Sequence, residues 1–290
     1  MTDPTEISDS QLKEFQRCER RWAFKRLLKL EPSEGKDNLI YGNSLHEGME
    51  EFVKTSDLAK SQTVVIEYIK KERPEDFQWQ LQVAPAQLYG WAVHWLPAFL
   101  KDHDITAVEQ WFDVLPHPAV KIRGYKDLQA KRKTTGGRVL LDYKTSGQSG
   151  GGDLGKTVSI NQQLAIYAVD DRRRTGDWPH AVGLVFLQKP KNNTIDACVK
   201  AAKEKADLYF DRMVEVTPAF AAFALDVERS FVSYALRMGQ YRTQFVAQGP
   251  AFIDSIPPNF NECFSYGEMC GFAAGCHSGQ PCHRLLPRKP

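Results

Sequence analysis

The residues able to do chemistry fall into an acidic group in the middle of the chain and a cysteine-rich group near its end. Asp127 sits in a segment of extended character, and Asp142 and Lys144 sit in the next one, across a turn at Thr134-Thr135-Gly136-Gly137. Residues two apart on a strand leave the same face, so Asp142 and Lys144 share a side. Two carboxylates and a lysine on one sheet edge suit metal-assisted hydrolysis of a phosphodiester. The carboxylates hold a hard divalent cation. That ion activates water and offsets charge developing on phosphate, while the lysine places the water or steadies the transition state. His46 ends a Gly42-x-x-x-His46 run at the start of a helical pattern, and its imidazole suits Mn²⁺ as a further ligand. Gln163 and Tyr167 are four apart in a later helix, on one face that can reach a common substrate. Taken singly, each has a plainer reading: an Asp-x-Lys pair on a solvated strand face, or a helix histidine with ordinary partners.

The elements that must position these residues come from a chain of 290 residues, 42% hydrophobic and 26% charged, which is ordinary globular composition. Its 38 Lys plus Arg against 36 Asp plus Glu leave a net charge of +2, which neither demands nor excludes a nucleic-acid partner. No run approaches the ~20 apolar residues of a membrane span. The start, Met-Thr-Asp-Pro-Thr-Glu-Ile-Ser, lacks the basic and apolar regions of a secretory signal, so a soluble cytoplasmic protein is expected. In such a compartment the six cysteines point to metal or redox chemistry before disulfides.

Ser8 and Gln11 predict a capping box, and Ile7 and Leu12 a hydrophobic staple, at the start of a first helix. Leu12, Phe15, Cys18 and Trp22 then fall on one helical face, ringed by Arg17, Arg20, Arg21, Lys25 and Arg26. Helical patterns follow at 42–55, 60–72 and 85–101. Extended segments cover 106–115, 119–131 and 138–144, and a Gly-rich loop covers 146–156. A helix at 158–174 and a buried strand at 181–188 come next, then helical stretches at 199–224 and 226–247 and a Pro-, Gly- and Cys-rich tail. The pattern predicts a mixed α/β fold.

Gly42-x-x-x-His46, Gly124-x-x-Asp127, Asp142-Tyr143-Lys144-Thr145 and Gln163-x-x-x-Tyr167 occur in the order found in RecB-like nucleases of the PD-(D/E)XK superfamily, which the chain resembles over about 42–167. The resemblance implies an α/β, restriction-endonuclease-like mixed sheet flanked by helices. It implies one domain over 1–290, a helical insertion at 56–104 and a tail at 258–290 closing onto the N-terminal helix. It implies that His46, Asp127, Asp142 and the backbone carbonyl of Tyr143 hold Mg²⁺ or Mn²⁺. Lys144 would then be the catalytic lysine, with Gln163 and Tyr167 contacting DNA beside the scissile phosphate. Lys126 departs from the apolar residue often found before the aspartate.

By the same resemblance, Cys18, Cys263, Cys270 and Cys276 look like the 4Fe-4S ligands of CRISPR-associated iron–sulfur exonucleases and of the AddB nuclease domain. Zinc held by the tail's Cys and His residues, Cys282, His277 and His283 included, is the alternative, and it leaves Cys18 unemployed. Cys198 reads as structural.

The implied activity is exonucleolytic cleavage of DNA at single strands or free ends, with Arg20, Arg21 and Lys156 as candidate DNA contacts. The setting is bacterial or phage recombination, replication, repair or CRISPR adaptation, with the proteins of those processes as possible partners and no membrane. Two rivals stand beside it. One is a non-catalytic DNA-binding or complex-forming module with a structural cluster. The other is a P-loop ATPase, because Gly150 to Thr157 matches Gly-x4-Gly-Lys-Thr; no acidic residue ends the 181–188 strand to hold its Mg²⁺.

Overall fold

A computed structural model describes residues 4–32, 37–72, 77–147, 156–259, 272, 276 and 285–287. The chain divides into two compact units, one of Met1–Gly35, Asp113–Gly124 and Glu228–Pro290, the other of Lys36–Phe112 and Tyr125–Val227. Among the described residues, no helix is long and apolar enough to cross a membrane.

The first unit opens with a short strand, β1 (Thr5–Ile7), running parallel to Val120–Ile122. Ser8 then caps α1 (Asp9–Arg17), its side chain accepting from the Gln11 N–H at 3.4 Å. The capping box is only half made, because the Gln11 side-chain oxygen is buried without a hydrogen bond. Ile7 and Leu12 are both fully buried, as a staple requires.

The single first helix is corrected to two. Cys18 is extended (φ −163°, ψ 112°), closes α1 and starts α2 (Glu19–Arg26), its sulfur accepting from Arg21 N–H at 3.4 Å. Phe15 and Trp22 still meet edge-to-face at 5.1 Å, because the break keeps both apolar faces turned to one core. A strand β2 (Leu30–Pro32) completes this stretch.

The second unit is a mixed sheet with helices on both faces. Helices α3 (Asp37–Thr55), α4 (Leu58–Glu72), α5 (Gln78–Gly90) and α6 (Leu96–Asp102) precede the sheet, the last two joined by a π-helical turn at Trp91–Trp95. Strand β3 (His103–His117) pairs with β4 (Val120–Arg132), which runs antiparallel to β5 (Arg138–Ser146). β6 (Ala181–Gln188) lies parallel to β5, and β7 (Tyr209–Glu215) closes the sheet antiparallel to β6. β6 reads as a continuous apolar run because both its faces are covered.

Between β5 and β6 lies α7 (Gln162–Thr175), capped by Asn161 and ended by Gly176 in the left-handed region (φ 88°). Then come α8 (Ile195–Glu204) and, after β7, one long helix, α9 (Pro218–Gln248). The helical stretch at 199–224 is therefore corrected, while that at 226–247 is helical as expected and begins earlier, at Pro218. β7 occupies the middle of the first, where Tyr209-Phe-Asp-Arg-Met-Val is a half-exposed edge strand whose pattern a helix imitates. Gly90 lies where α5 crosses α8, since a Cβ there would stand 2.1 Å from the Ala202 carbonyl oxygen.

Alternation along β5 divides the two faces. Val139, Leu141 and Tyr143 pack with Tyr41, Leu45 and Met49 of α3 and with Trp91. On the other face, Lys126 is almost fully buried and pairs with Asp170 of α7 at 2.5 Å. Its departure from an apolar residue is thus absorbed by a buried ion pair, which Arg174 joins at 2.9 Å from Asp170. Removing one partner of such a pair strands the other's charge. Lys126→Ala is expected to lose about 3–5 kcal/mol in urea unfolding, with Lys126→Met/Asp170→Leu recovering most of it. Loss of under ~1 kcal/mol in the single variant would show the pair to be peripheral.

Candidate active site

The site forms where β4 and β5 part. Their last paired residues are Leu128 and Leu141, and beyond them the Asp127 carboxylate lies between the strands, Oδ2 accepting the Tyr143 N–H at 2.7 Å. That bond satisfies a buried amide the ladder no longer serves. From the α3 side, His46 Nδ1 comes to 3.5 Å from Asp127 Oδ2 and 3.4 Å from Glu109 Oε1. The Tyr143 ring meets the imidazole edge-on at 5.7 Å and is itself held by Trp91 at 5.8 Å.

On the α7 side a closed circuit of side chains forms. Lys144 Nζ lies 2.6 Å from Asp142 Oδ2 and donates to Gln163 Oε1 at 3.0 Å. Gln163 Nε2 donates to the Tyr167 hydroxyl at 2.9 Å, and that hydroxyl donates to Asp142 Oδ1 at 3.1 Å. The i, i+2 spacing on β5 and the i, i+4 spacing on α7 thus meet as the sequence predicts.

One member of the site has no signal in the sequence. Glu109, in the middle of β3, groups with His46 and Asp127, their ligand atoms all within 4.8 Å of one another. Its backbone is left-handed (φ 44°), which a non-glycine residue inside a strand adopts only when its surroundings hold it there. Asp142 stands outside that trio, its carboxylate turned to Lys144 and Tyr167.

The donor set suits a hard divalent cation: two carboxylates and one imidazole converge, with the Asp142 carboxylate on the neighbouring strand. Glu109 Oε1 and Asp142 Oδ2 are buried and accept no well-aligned hydrogen bond, leaving each with an ion-pair neighbour alone. Such oxygens are available as ligands.

The remaining expected site residues lie elsewhere. The Arg20 guanidinium is engaged inside the first unit by the carbonyls of Ile256 (2.5 Å), Asp254 (2.7 Å) and Cys276 (3.1 Å). Arg21 is half-buried at the start of α2, and Lys156 is exposed. Cys263, Cys270, Cys282, His277, His283 and most of the Gly150–Thr157 segment fall outside the described residues.

Crowding of acids sets the protonation. Burial pulls the His46 imidazole down, but Asp127, then Glu109 and Asp142, outweigh it and raise it to about 9. Burial, then Asp142, raises the Asp127 carboxyl well above its usual range. Burial likewise raises Tyr167, so its hydroxyl keeps the proton it donates to Asp142.

The raised His46 and Asp127 favour the folded state when protonated, so that stability is present below their unfolded values and is lost as pH rises through the folded ones. The metal-free protein should melt at progressively lower temperature from about pH 6.5, the unfolded imidazole value, to 9. A divalent cation replaces the protons, so Mg²⁺ or Mn²⁺ should raise the melting temperature most at the alkaline end and release protons on binding near pH 7. Calorimetry in buffers of different ionisation enthalpy reads that release; its absence would remove His46 from the ligand set. Glu109→Gln should weaken metal binding by more than about tenfold.

No curated protein matches this sequence. Residues 6–274, however, match the sequence model of the PD-(D/E)XK nuclease superfamily. With nearly the whole chain matched and a His-Glu-Asp cluster beside a lysine-bearing strand, the protein belongs to the PD-(D/E)XK nuclease superfamily.

Proposed function

We propose that this protein is a divalent-metal-dependent DNA exonuclease of RecB-like type that acts on single strands or free DNA ends. Superfamily membership carries the coarser part, metal-dependent nuclease activity. The observation that supports the catalytic roles is the closed circuit of Asp142, Lys144, Gln163 and Tyr167 beside the His46-Glu109-Asp127 cluster.

When bound, Mg²⁺ or Mn²⁺ supplies a Lewis acid and an acidified water for attack on phosphorus. The chain's own residues do the rest. His46, Glu109 and Asp127 would hold the cation, with Asp142 and the Tyr143 carbonyl as the further ligands the resemblance implies. Tyr167 orients Asp142 through its hydroxyl, and Gln163 holds the Lys144 ammonium in place. Lys144 positions the attacking water and stabilises charge on the pentavalent phosphate.

In the other unit, the proposed 4Fe-4S cluster takes Cys18, Cys263, Cys270 and Cys276. Its support is local: Arg20, two residues beyond Cys18, donates to the Cys276 carbonyl and stands 3.8 Å from the Cys276 sulfur, where a cation favours thiolate. Arg20, Arg21 and Lys156 are the proposed DNA contacts, the Arg20 guanidinium also bonding the carbonyls of Asp254, Ile256 and Cys276. The processes served are recombination, repair or phage DNA processing in a cytoplasm.

End-labelled single- and double-stranded DNA with Mg²⁺ or Mn²⁺ tests the activity. Lys144→Ala should lower the rate by about 10²–10⁴. A ladder shrinking from one end marks an exonuclease, internal fragments mark an endonuclease, and an inert parent with metal bound would leave a DNA-binding module. Protein purified anaerobically should show broad visible absorption and about four irons per chain, lost in Cys18→Ala; zinc without iron would replace the cluster.

A further inference from the structure

Trp111 and Tyr125 are the two aromatic side chains, among the described residues, that stand open to solvent, 42% and 53% exposed. They are also in contact, their rings edge-to-face at 5.0 Å. Aromatic surface of this size is normally buried, and an exposed pair of rings on a strand pair marks a binding face.

Its position says what it binds. Trp111 lies two residues beyond Glu109 on β3, and Tyr125 two residues before Asp127 on β4. Glu109 and Asp127 bring ligand atoms together in the metal cluster, so the ring pair is the next rung along the same two strands, roughly 7 Å away at strand rise. The intervening residues fix the face. Phe112 packs on Tyr167 and Lys126 pairs with Asp170, both on α7, so their neighbours Trp111 and Tyr125 project from the opposite side. That is the side from which His46 enters the cluster. The Trp111 backbone is tied down, its carbonyl accepting from Arg174 at 3.3 Å, and the adjoining Gln110 and Gln129 side chains are bonded to each other.

We propose that Trp111 and Tyr125 form a base-stacking platform that seats an unpaired nucleotide of the DNA strand one step from the scissile phosphate, and so select single-stranded substrate. The inference rests on the nuclease reading and names the residues that set its specificity. A sugar-phosphate spacing of one nucleotide matches the one-rung separation of rings and metal. Stacking on an aromatic face needs a base whose own faces are free, which duplex interiors do not offer.

The test uses the full-length chain carrying Lys144→Ala, so that DNA is bound and not degraded, with Mg²⁺ present. Fluorescence anisotropy compares a short oligothymidylate with an abasic strand of equal length and charge. Trp111→Ala/Tyr125→Ala should weaken the base-bearing strand about tenfold or more and leave the abasic strand unaffected, whereas Trp111→Phe should hold most of the affinity. In the Lys144 parent, the same double replacement should carry its loss of kcat/KM on single strands mainly in KM. Equal affinities of parent and double variant for the base-bearing strand would overturn the platform while leaving the nuclease standing. If the Lys144 parent cleaves nothing, the binding comparison still decides: base-dependent binding lost with the rings supports the platform, and no base-dependent binding overturns it. Both side chains are exposed, and circular dichroism checks that the variants remain folded.

Discussion

The Asp127–Tyr143 bond is the contact on which the site depends. Two antiparallel strands cannot part inside a protein without leaving amides unpaired, and a buried, unpaired amide costs about as much as a lost hydrogen bond. Asp127 supplies the missing acceptor to Tyr143 N–H. The carboxylate is thereby fixed between the strands. His46 comes to it from α3, and the Asp142–Lys144 circuit stands beside it on the α7 side. The same substitution of a side chain for a ladder bond both opens the sheet and places a ligand in the opening.

Around that point the molecule spends buried polar groups freely and satisfies them in pairs. Lys126 and Asp170 lock α7 to the sheet one residue before Asp127. At the site, three carboxylates lie near one imidazole and one ammonium; the excess of negative charge raises His46 against its burial, while burial first, and then the same excess, raises Asp127. A divalent cation relieves the same excess. Metal affinity, protonation and stability are therefore three readings of one electrostatic imbalance.

Glu109 shows why part of the site is hidden from the sequence. It belongs to no spacing motif, and the flanking Val108 and Gln110 give it no distinctive pattern. It becomes a candidate ligand because β3 takes a left-handed backbone step there and turns its carboxylate to His46. A kink inside a strand is decided by packing on both of its sides, which no local pattern records. The one-helix reading of residues 8–26 failed for a related reason. The apolar spacing continues through Cys18, but the extended backbone there still buries both halves' apolar faces.

The sequence by itself determined the mixed α/β order, the strand at 181–188, the hairpin before Asp142, and the spacings that make Asp142 with Lys144 and Gln163 with Tyr167 share faces. These follow from periods of two and 3.6 residues, which are local geometry. Only the tertiary structure decided that those two pairs close into one circuit, that Lys126 is buried on Asp170, that Glu109 joins His46 and Asp127, and that 209–215 is a strand. Each depends on groups brought together across 18 or more residues or on which sheet edge is covered. Such contacts are fixed by the packing of whole elements, and the local chain carries only the types of residue that will meet.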